Sequence, residues 1–322
     1  MIDVVALGEL LIDFTYSGKS KEGMKLFEQN PGGAPGNFLT AIANMGLKTA
    51  MIAKVGDDMH GRFLLDTLKS HNIDTSGIIV DKDSFTTLAF VDLDKNGERK
   101  FSFARKPGAD IRLEYEEIDK NLLAETKIFH VGSLSLTNEP SREATYFSVD
   151  LAKSLGAIIS YDPNYRDSLW KDRDTAIEEM KKMMKFADIV KVSDEEAVLL
   201  TGEDDYSKGA GKLLDMGPKL VAVTLGSGGV LVKTLKYELT VSGFKVNAVD
   251  TTGAGDSFWG GFVGSFIKSR KALNKLKEKD ILEFARYGNA TASICVQRRG
   301  GIPAIPKESE VIEMINLRAA AL

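Results

Sequence analysis

Short apolar runs alternate along the chain with segments in which apolar residues recur at helical spacing. Because the runs are apolar on both faces, they predict buried strands of a parallel sheet. They comprise residues 4–7, 50–55, 128–131, 157–160, 189–192 and 220–225. The helical segments comprise residues 37–45, 61–69, 142–154, 175–185 and 209–216. This alternation predicts a doubly wound α/β fold with helices on both faces of a mostly parallel sheet.

A different pattern predicts a second, smaller β-sheet. Residues 87–105 alternate apolar and polar side chains around Asn96-Gly97, a dipeptide that favours a tight hairpin turn. Residues 10–15 and 25–29 are also strand-like. We expect these segments to form one small sheet that stands off the main one.

Such a small sheet has to cover its apolar face. We therefore expect residues 10–30 and 85–106, approximately, to form a lid over a site, to pair with a second copy of the chain, or both. Phe101 and Phe103 alternate with small residues, and their face is the one we expect a partner to cover in a homodimer. No linker or repeat divides the sequence, so we treat residues 1–322 as one domain that carries this lid.

The composition excludes several classes of protein. The 42 Lys and Arg residues are balanced by 46 Asp and Glu residues, for a net charge of −4, whereas a nucleic-acid binder needs a basic surface. The single cysteine, Cys295, rules out an internal disulfide and a cysteine-based zinc site. No apolar run approaches the ~18 residues of a membrane span, and no signal peptide opens the chain. We expect a soluble, cytoplasmic protein that binds neither nucleic acid nor membranes.

The most informative motif is Asp-Thr-Thr-Gly-Ala-Gly-Asp at residues 250–256. We predict that a strand ends at Asp250, that the glycines form a tight turn, and that a helix follows from about Asp256. Backbone N–H groups at the start of a helix bind negatively charged oxygen atoms. A carboxylate beside such an anion site is the arrangement that a general base needs next to a phosphoryl group in transfer. An acid in the first helical turn also has a purely structural use, which the motif alone leaves open.

Two other glycine-rich segments follow strand-like sequence. Residues 30–37, Asn-Pro-Gly-Gly-Ala-Pro-Gly-Asn, permit close approach of the backbone to a ligand and place Asn37 at a helix start. Residues 223–230 lead a strand into a glycine turn, which is a weaker signal because many strands end in this way.

Three charged side chains are further candidates for the site. Asp13 follows strand-like sequence, where its carboxylate would either accept hydrogen bonds from neighbouring sugar hydroxyls or serve an ordinary turn. Arg105 and Arg166 are candidate clamps for a phosphate or a carboxylate, although a lone arginine is usually a surface residue.

In this order and over essentially the whole chain, the motifs resemble those of the ribokinase-like carbohydrate kinases, or PfkB-type family. Residues 32–37 together with residues 54–61 are similar to the N-terminal signature of the family, and residues 250–256 are similar to its C-terminal signature. The resemblance implies a Rossmann-like α/β/α domain with a small β-sheet lid that often serves dimerisation. It also implies phosphorylation of a sugar's primary hydroxyl, with ATP and Mg²⁺.

The resemblance also implies roles for individual residues. Asp256 would be the general base, and the backbone amides of Gly253, Ala254 and Gly255 would form an anion hole. The residues implied to contact the sugar are Asp13, Gly32, Gly33, Asn37, Phe103, Arg105 and Arg166. The residues implied to line the nucleotide site are Asn164, Lys191, Ser193, Thr224, Gly226, Gly229 and Asn289.

Metal-binding roles follow from the same resemblance. Glu196 would act on Mg²⁺ indirectly, while Asp250 and Thr252 match positions that hold a monovalent cation such as K⁺ in some members. Two positions depart from the family pattern: Ser193 stands where many members have Asn, and Ala304 stands where ribokinases tend to have Ser. The second change removes a hydroxyl group from the cation loop.

Within the family, residues 162–166, 191–196 and 300–306 are most similar to fructokinases, so we expect fructose to be converted to fructose 6-phosphate. The nearest alternative is a 2-keto-3-deoxygluconate kinase, whose substrate carboxylate the two arginines could clamp. Similar enzymes often place tyrosines near that clamp, whereas this hairpin has Phe90 and Phe103. Ribokinase and nucleoside kinase come next. From another class, a catalytically silent sugar-binding regulatory protein is disfavoured because this chain keeps both the base and the anion hole.

Overall fold

The computed structural model describes residues 1–93 and 99–319, and its largest element is a sheet of nine strands. In spatial order the strands are β13 (Glu238–Val241), β12 (Val230–Thr234), β11 (Leu220–Thr224), β10 (Ile189–Ser193), β9 (Ile158–Asp162), β8 (Thr126–Gly132), β1 (Ile2–Leu7), β4 (Thr49–Gly56) and β5 (Ile73–Asp81). Only β12 runs antiparallel to its neighbours. The predicted mostly parallel sheet is confirmed.

Helices cover both faces of this sheet. One face carries α1 (Ala34–Ala43), α2 (Met59–Ser70), α8 (Ala254–Ser269) and α9 (Glu278–Cys295). The other carries α3 (Lys120–Glu125), α4 (Ser141–Ser154), α5 (Arg173–Met184), α6 (Asp194–Thr201) and α7 (Tyr206–Asp215). A last helix, α10 (Glu308–Ala319), packs on α9. None of the helices in the described residues is long and apolar enough to cross a bilayer.

The two cores arise from the alternation of side chains along each strand. Val5 and Leu7 of β1 pack with one set of helices, whereas Val4 and Ala6 pack with the other. Because successive side chains of a strand point to opposite faces, a strand that is apolar throughout is covered on both sides. The doubly wound architecture therefore follows directly from the apolar runs.

The predicted second sheet is also present. Its four strands lie in the order β3 (Lys25–Gly32), β2 (Leu11–Lys19), β6 (Leu88–Leu93) and β7 (Arg99–Ala104). Strands β6 and β7 pair antiparallel as the hairpin pattern predicts, while β2 and β6 pair in parallel. The Asn96-Gly97 turn lies outside the described residues.

The register of the second sheet decides which aromatic residues face the main domain. Asp13, Ala89 and Phe103 are paired across β2, β6 and β7, so their side chains share one face. Phe14 and Phe90 form the next pair, on the opposite face, where their rings stack with centroids 5.2 Å apart. Phe103 lines a cavity against the main domain, and that its face also meets a partner stays a prediction.

Near residue 250 one predicted boundary is wrong and another is shifted by two residues. No strand ends at Asp250; the N–H groups of Val249 and Asp250 instead donate to the carbonyl of Val296, at the end of α9. Helix α8 begins at Ala254, two residues before the predicted start. The extended segment before Asp250 lies against the end of α9 and not beside another strand. The local sequence pattern does not distinguish these two kinds of neighbour.

Helices α1 and α8 approach closely at Gly260, where an added Cβ would lie 2.6 Å from the carbonyl oxygen of Phe38. We expect Gly260→Ala to lower the free energy of unfolding by about 1–3 kcal/mol, because the helices would have to move apart. Gly211→Ala is the matched control within α7, where the nearest atom to an added Cβ is 3.9 Å away. That control should raise stability by about 0.4–1 kcal/mol, and urea unfolding of both variants measures the difference.

Candidate active site

Two cavities meet at the N-terminus of α8. The first, here called the Asp256 cavity, has a volume of about 440 Å³ and lies between the second sheet and the main domain. The second, called the Asn289 cavity, has a volume of about 470 Å³ and lies between the β11–β12 turn and α9. Thr251, Ala254 and Gly255 line both cavities. A group bound in one cavity would therefore reach a group bound in the other across the start of this helix.

The start of α8 is suited to an anion. Gly253 precedes the helix with φ of 72°, a left-handed conformation that glycine adopts without strain, and no side chain caps the first turn. The first N–H groups of a helix have no partner within it. The N–H of Ala254 donates to the Thr251 carbonyl at 3.2 Å, so the amides of Gly253 and Gly255 are the better placed members of the predicted anion hole.

Asp256 lies in this first turn and is buried in the wall of its cavity. The side-chain amide of Asn37 donates to Oδ2 of Asp256 at 2.8 Å, and that of Asn164 lies 3.5 Å from Oδ1. Burial raises the pKa of Asp256, against the opposing effects of Lys191, Asn37 and Arg166. A raised pKa makes this carboxylate a better proton acceptor than an exposed aspartate.

A buried lysine lies beside this carboxylate. Lys191 Nζ donates to both oxygens of Asp162, at 2.9 and 3.1 Å, and an added Cβ on Gly255 would lie 2.9 Å from the same nitrogen. Burial disfavours the ammonium, but the carboxylates of Asp162, Glu196 and Asp256 outweigh burial and raise the pKa of Lys191. A permanent positive charge is thus fixed beneath the first turn of α8.

Most of the predicted sugar-binding residues line the Asp256 cavity. They are Asp13, Gly33, Asn37, Phe103 and Arg166. Gly32 packs against the Asp13 carboxylate, because a Cβ added to Gly32 would lie 2.2 Å from Oδ2 of Asp13. Oδ1 of Asn37 is buried and has no hydrogen-bond partner among the described residues, so it is available to a ligand hydroxyl.

Arg105 lies behind the cavity wall rather than in its lining. Its guanidinium donates to Asp110 Oδ2 at 2.8 Å, to Thr137 Oγ1 at 3.0 Å and to the Leu134 carbonyl at 2.9 Å. Phe103, two residues earlier, and Leu134 both line the cavity. Arg105 therefore joins the second sheet to the end of β8 and holds two walls of the cavity in place.

The Asp256 cavity also contains residues that the sequence motifs did not single out. Glu9 is buried in its wall and accepts the N–H of Ala34 at 2.9 Å, and burial raises the pKa of Glu9 to about 7. Leu11 and Leu134 supply apolar walls. Glu9 lies two residues after the first parallel strand, a position where sheets of this type commonly bind ligands, and that position was the available signal.

The predicted nucleotide-binding residues divide between three places. Thr224, Gly226, Gly229 and Asn289 line the Asn289 cavity, together with apolar residues that include Phe244, Val246 and Phe258. Asn164 and Lys191 line the Asp256 cavity instead. Ser193 lines a more open groove of about 630 Å³ that shares Arg166 with the Asp256 cavity.

Glu196 is held rigidly at the edge of that groove. One oxygen accepts the N–H of Tyr165 and the other accepts the N–H of Ser193, both at 2.7 Å. The Ser193 hydroxyl in turn accepts the N–H of Glu196, so the two residues form a capping box at the start of α6. The serine that departs from the family pattern thus has a clear structural use.

Comparison with known proteins identifies the architecture. The family model described as pfkB family carbohydrate kinase matches residues 1–308. This chain belongs to that family. Fructokinase-1 of Zea mays is 40% identical over 319 residues, which cover 97% of each protein.

Two solved structures are similar over nearly their whole length. A fructokinase from Xylella fastidiosa with bound ATP has a TM-score of 0.92 and 31% identity, covering 99% of this chain and 100% of that one. A fructokinase from Vibrio cholerae with fructose, ADP and calcium ion has a TM-score of 0.88 and 32% identity, covering 98% and 99%.

The pfkB-family site fits a magnesium ion that arrives with phosphate groups. Within the described residues, no group of three or more His, Cys, Asp or Glu side chains could hold a metal alone. Mg²⁺ is commonly held by one or two carboxylates together with substrate phosphates. Glu196 and Asp256 are buried carboxylates that line the two adjoining spaces, one in each. When bound there, Mg²⁺ would neutralise charge on the phosphate oxygens.

The predicted monovalent-cation loop is tied down by its aspartate. Oδ1 of Asp250 accepts the N–H of Thr252 at 2.8 Å, and Oδ2 accepts the N–H of Gly300 at 3.1 Å. These bonds join the segment before α8 to the loop after α9. Binding of K⁺ to this loop stays a prediction.

Asp256→Asn tests the base directly. We expect kcat to fall by ~10²–10⁴-fold, since Asn keeps the size but cannot accept the proton. We also expect the variant to be more stable than the wild type at pH 7. Because the pKa of Asp256 is raised in the folded chain, its ionisation opposes folding above that pKa, and the opposition is lost as the pH falls from that pKa to the lower pKa of the unfolded chain. Steady-state kinetics and thermal unfolding measure the two effects.

Asp58→Asn is the matched control for the stability effect. The Asp58 carboxylate accepts the N–H groups of His60, Gly61 and Thr86, and although burial opposes it, these bonds lower its pKa. Its ionisation therefore favours folding above the pKa of the unfolded chain, and the same substitution should reduce stability. A lower Tm for both variants would contradict the proposed state of Asp256.

Proposed function

We propose that this chain is an ATP-dependent fructokinase that converts fructose to fructose 6-phosphate. The observation that carries the proposal is the buried Asp256 carboxylate at the start of α8, where the two cavities meet and Asn37 holds it by a 2.8 Å hydrogen bond. The Zea mays relative and both solved structures named above are fructokinases, one with ATP and one with fructose and ADP.

In this proposal the Asp256 cavity binds the sugar and the Asn289 cavity binds the nucleotide. Asp256 accepts the proton of the primary hydroxyl of the sugar while the hydroxyl oxygen attacks the γ-phosphorus of ATP. The bond from that phosphorus to the bridging oxygen breaks, and ADP leaves with the electron pair. The amides of Gly253 and Gly255 and the Lys191 ammonium face the region where charge develops on the phosphoryl oxygens.

The charges of the Asp256 cavity favour a neutral sugar over an acid sugar. Glu9, Asp13 and Asp256 line it, and Arg105, one of the two candidate carboxylate clamps, is already paired with Asp110. Arg166 is then the one candidate clamp in the described lining, because the Lys191 ammonium there is already bonded to Asp162. A 2-keto-3-deoxygluconate carboxylate would lie close to the carboxylates of Asp13 and Asp256, and like charges disfavour one another.

We further propose that the second sheet, within the single domain of residues 1–322, acts as a lid and carries the interface of a homodimer. Phe14, Phe27 and Phe90 form an aromatic cluster on the face opposite the Asp256 cavity, and Phe90 is 37% exposed. A second copy that covers this face would remove the apolar surface from water.

We also place the enzyme in the cytoplasm, because the cytoplasm supplies ATP and is a reducing compartment.

The substrate proposal is tested with an ADP-release assay on fructose, ribose, 2-keto-3-deoxygluconate, adenosine and tagatose. We expect fructose to give the highest kcat/KM, because an unmatched buried polar group can reduce kcat/KM by ~10⁴-fold. Asp256→Asn prepared in parallel reveals any turnover from contaminating kinases. A decisive preference for 2-keto-3-deoxygluconate would contradict fructose as the substrate and leave the family assignment intact.

The dimer proposal is tested by sedimentation of the wild type and two variants. We expect a species of twice the 35.1 kDa chain mass. Phe90→Asp should shift it towards the monomer, because the charge would be buried at the interface. Leu235→Asp is the control, since Leu235 is 86% exposed in the turn between β12 and β13 of the main sheet. A wild type that is monomeric at micromolar concentration would contradict the interface.

A further inference from the structure

A chain of buried hydrogen bonds lies one helical turn beyond Asp256. The indole N–H of Trp259 on α8 donates to Ser160 Oγ at 2.9 Å, and the same oxygen lies 2.9 Å from Nδ1 of His130. Ser160 and His130 are paired across β9 and β8. All three side chains are at least 98% buried. The bonds therefore connect the underside of α8 to the middle of the main sheet.

The same pair of residues supports α1, which carries Asn37. The ring of Phe38 stacks on the His130 imidazole with centroids 3.9 Å apart and an interplanar angle of 23°. Phe38 directly follows Asn37, the residue that donates to Asp256. Both helices that meet at the Asn37–Asp256 hydrogen bond thus rest on Ser160 and His130, one through a hydrogen bond and the other through a ring stack.

One hydrogen bond of this chain has a fixed direction. An indole N–H is a donor without an acceptor, so Ser160 Oγ accepts from Trp259, and the same oxygen shares a second hydrogen bond with His130 Nδ1 whose direction follows the imidazole tautomer. Burial, with a smaller effect from Lys191, lowers the pKa of His130 to about 3, so its imidazole is neutral. A buried chain with every member satisfied holds one arrangement of the groups that it joins.

We propose that Ser160, held between Trp259 and His130, is a positioning residue that sets where α8 presents the Asp256 carboxylate to Asn37. This inference rests on the fructokinase activity proposed above. Among the described residues that line the Asp256 and Asn289 cavities, none belongs to this trio. Its effect must therefore pass through the placement of Asp256, and small misplacements of a reacting group can reduce turnover by as much as ~10²-fold.

Ser160→Ala removes the shared oxygen, and Trp259→Phe removes the indole donor but keeps an aromatic ring. We expect each variant to lower kcat by roughly 10- to 100-fold, with the KM for fructose and for ATP changed less than about twofold. Ser160→Thr keeps the hydroxyl and should restore most of the turnover. Ser148→Ala is the matched control: Ser148 is equally buried, but its hydroxyl bonds to the Ala144 carbonyl on the other face of the sheet. It should leave kcat unchanged.

A double-mutant cycle with Asp256→Asn separates positioning from a general loss of stability. If Ser160 acts through Asp256, adding Ser160→Ala to Asp256→Asn should change the residual turnover by less than about twofold. A further tenfold loss would overturn the proposal, as would a kcat equal to the wild type in both Ser160→Ala and Trp259→Phe. A wild type that phosphorylates none of the five sugars and nucleosides would instead overturn the proposed activity, and this inference with it.

Discussion

The site depends on one ammonium group placed among three buried carboxylates. Lys191 is hydrogen-bonded to Asp162, and the charges of Glu196 and Asp256 act on it as well. Burial is the main reason why the pKa of Asp256 is raised, and the charge of Glu196 adds to it against the opposing effect of Lys191. Such an arrangement is stable only with partners for each charge, and here strand ends and helix starts supply most of them. A magnesium–nucleotide complex would supply further positive charge.

The position of this cluster follows from the topology of the parallel sheet. Asp162 ends β9, and Lys191 precedes the end of β10, the next strand in the sheet. Helix α8 begins directly above them, with its amides directed towards the same edge. Parallel strands bring their carboxyl ends to one edge, and helix N-termini meet there because each helix runs back along the sheet. Anion-binding amides, a cation and a base therefore gather at one edge, where the left-handed turn at Gly253 starts α8.

The local signals in the sequence predicted the fold and the centre of the site. Apolar runs located the strands of the main sheet because both faces of each strand are buried, and the glycine motif located the turn before α8. The strand expected before Asp250 was wrong because its hydrogen bonds go to the end of α9. Glu9 and Asp162 were not singled out, because their importance comes from burial beside residues that are distant in sequence. Arg105 was singled out as a sugar contact, but its bonds to Asp110, Thr137 and Leu134 hold it behind the cavity wall instead.

Asn37 and Asp256 are separated by 219 positions along the chain, yet one hydrogen bond joins them. During synthesis the second sheet leaves the ribosome long before α8, so an incomplete chain lacks both the base and the part of the cavity wall that the start of α8 supplies. Contacts between such distant positions form late, since a long loop must close before they are made. A chain that is not fully folded therefore cannot transfer a phosphoryl group from ATP to water or sugar. It becomes catalytically competent only when the native structure is complete.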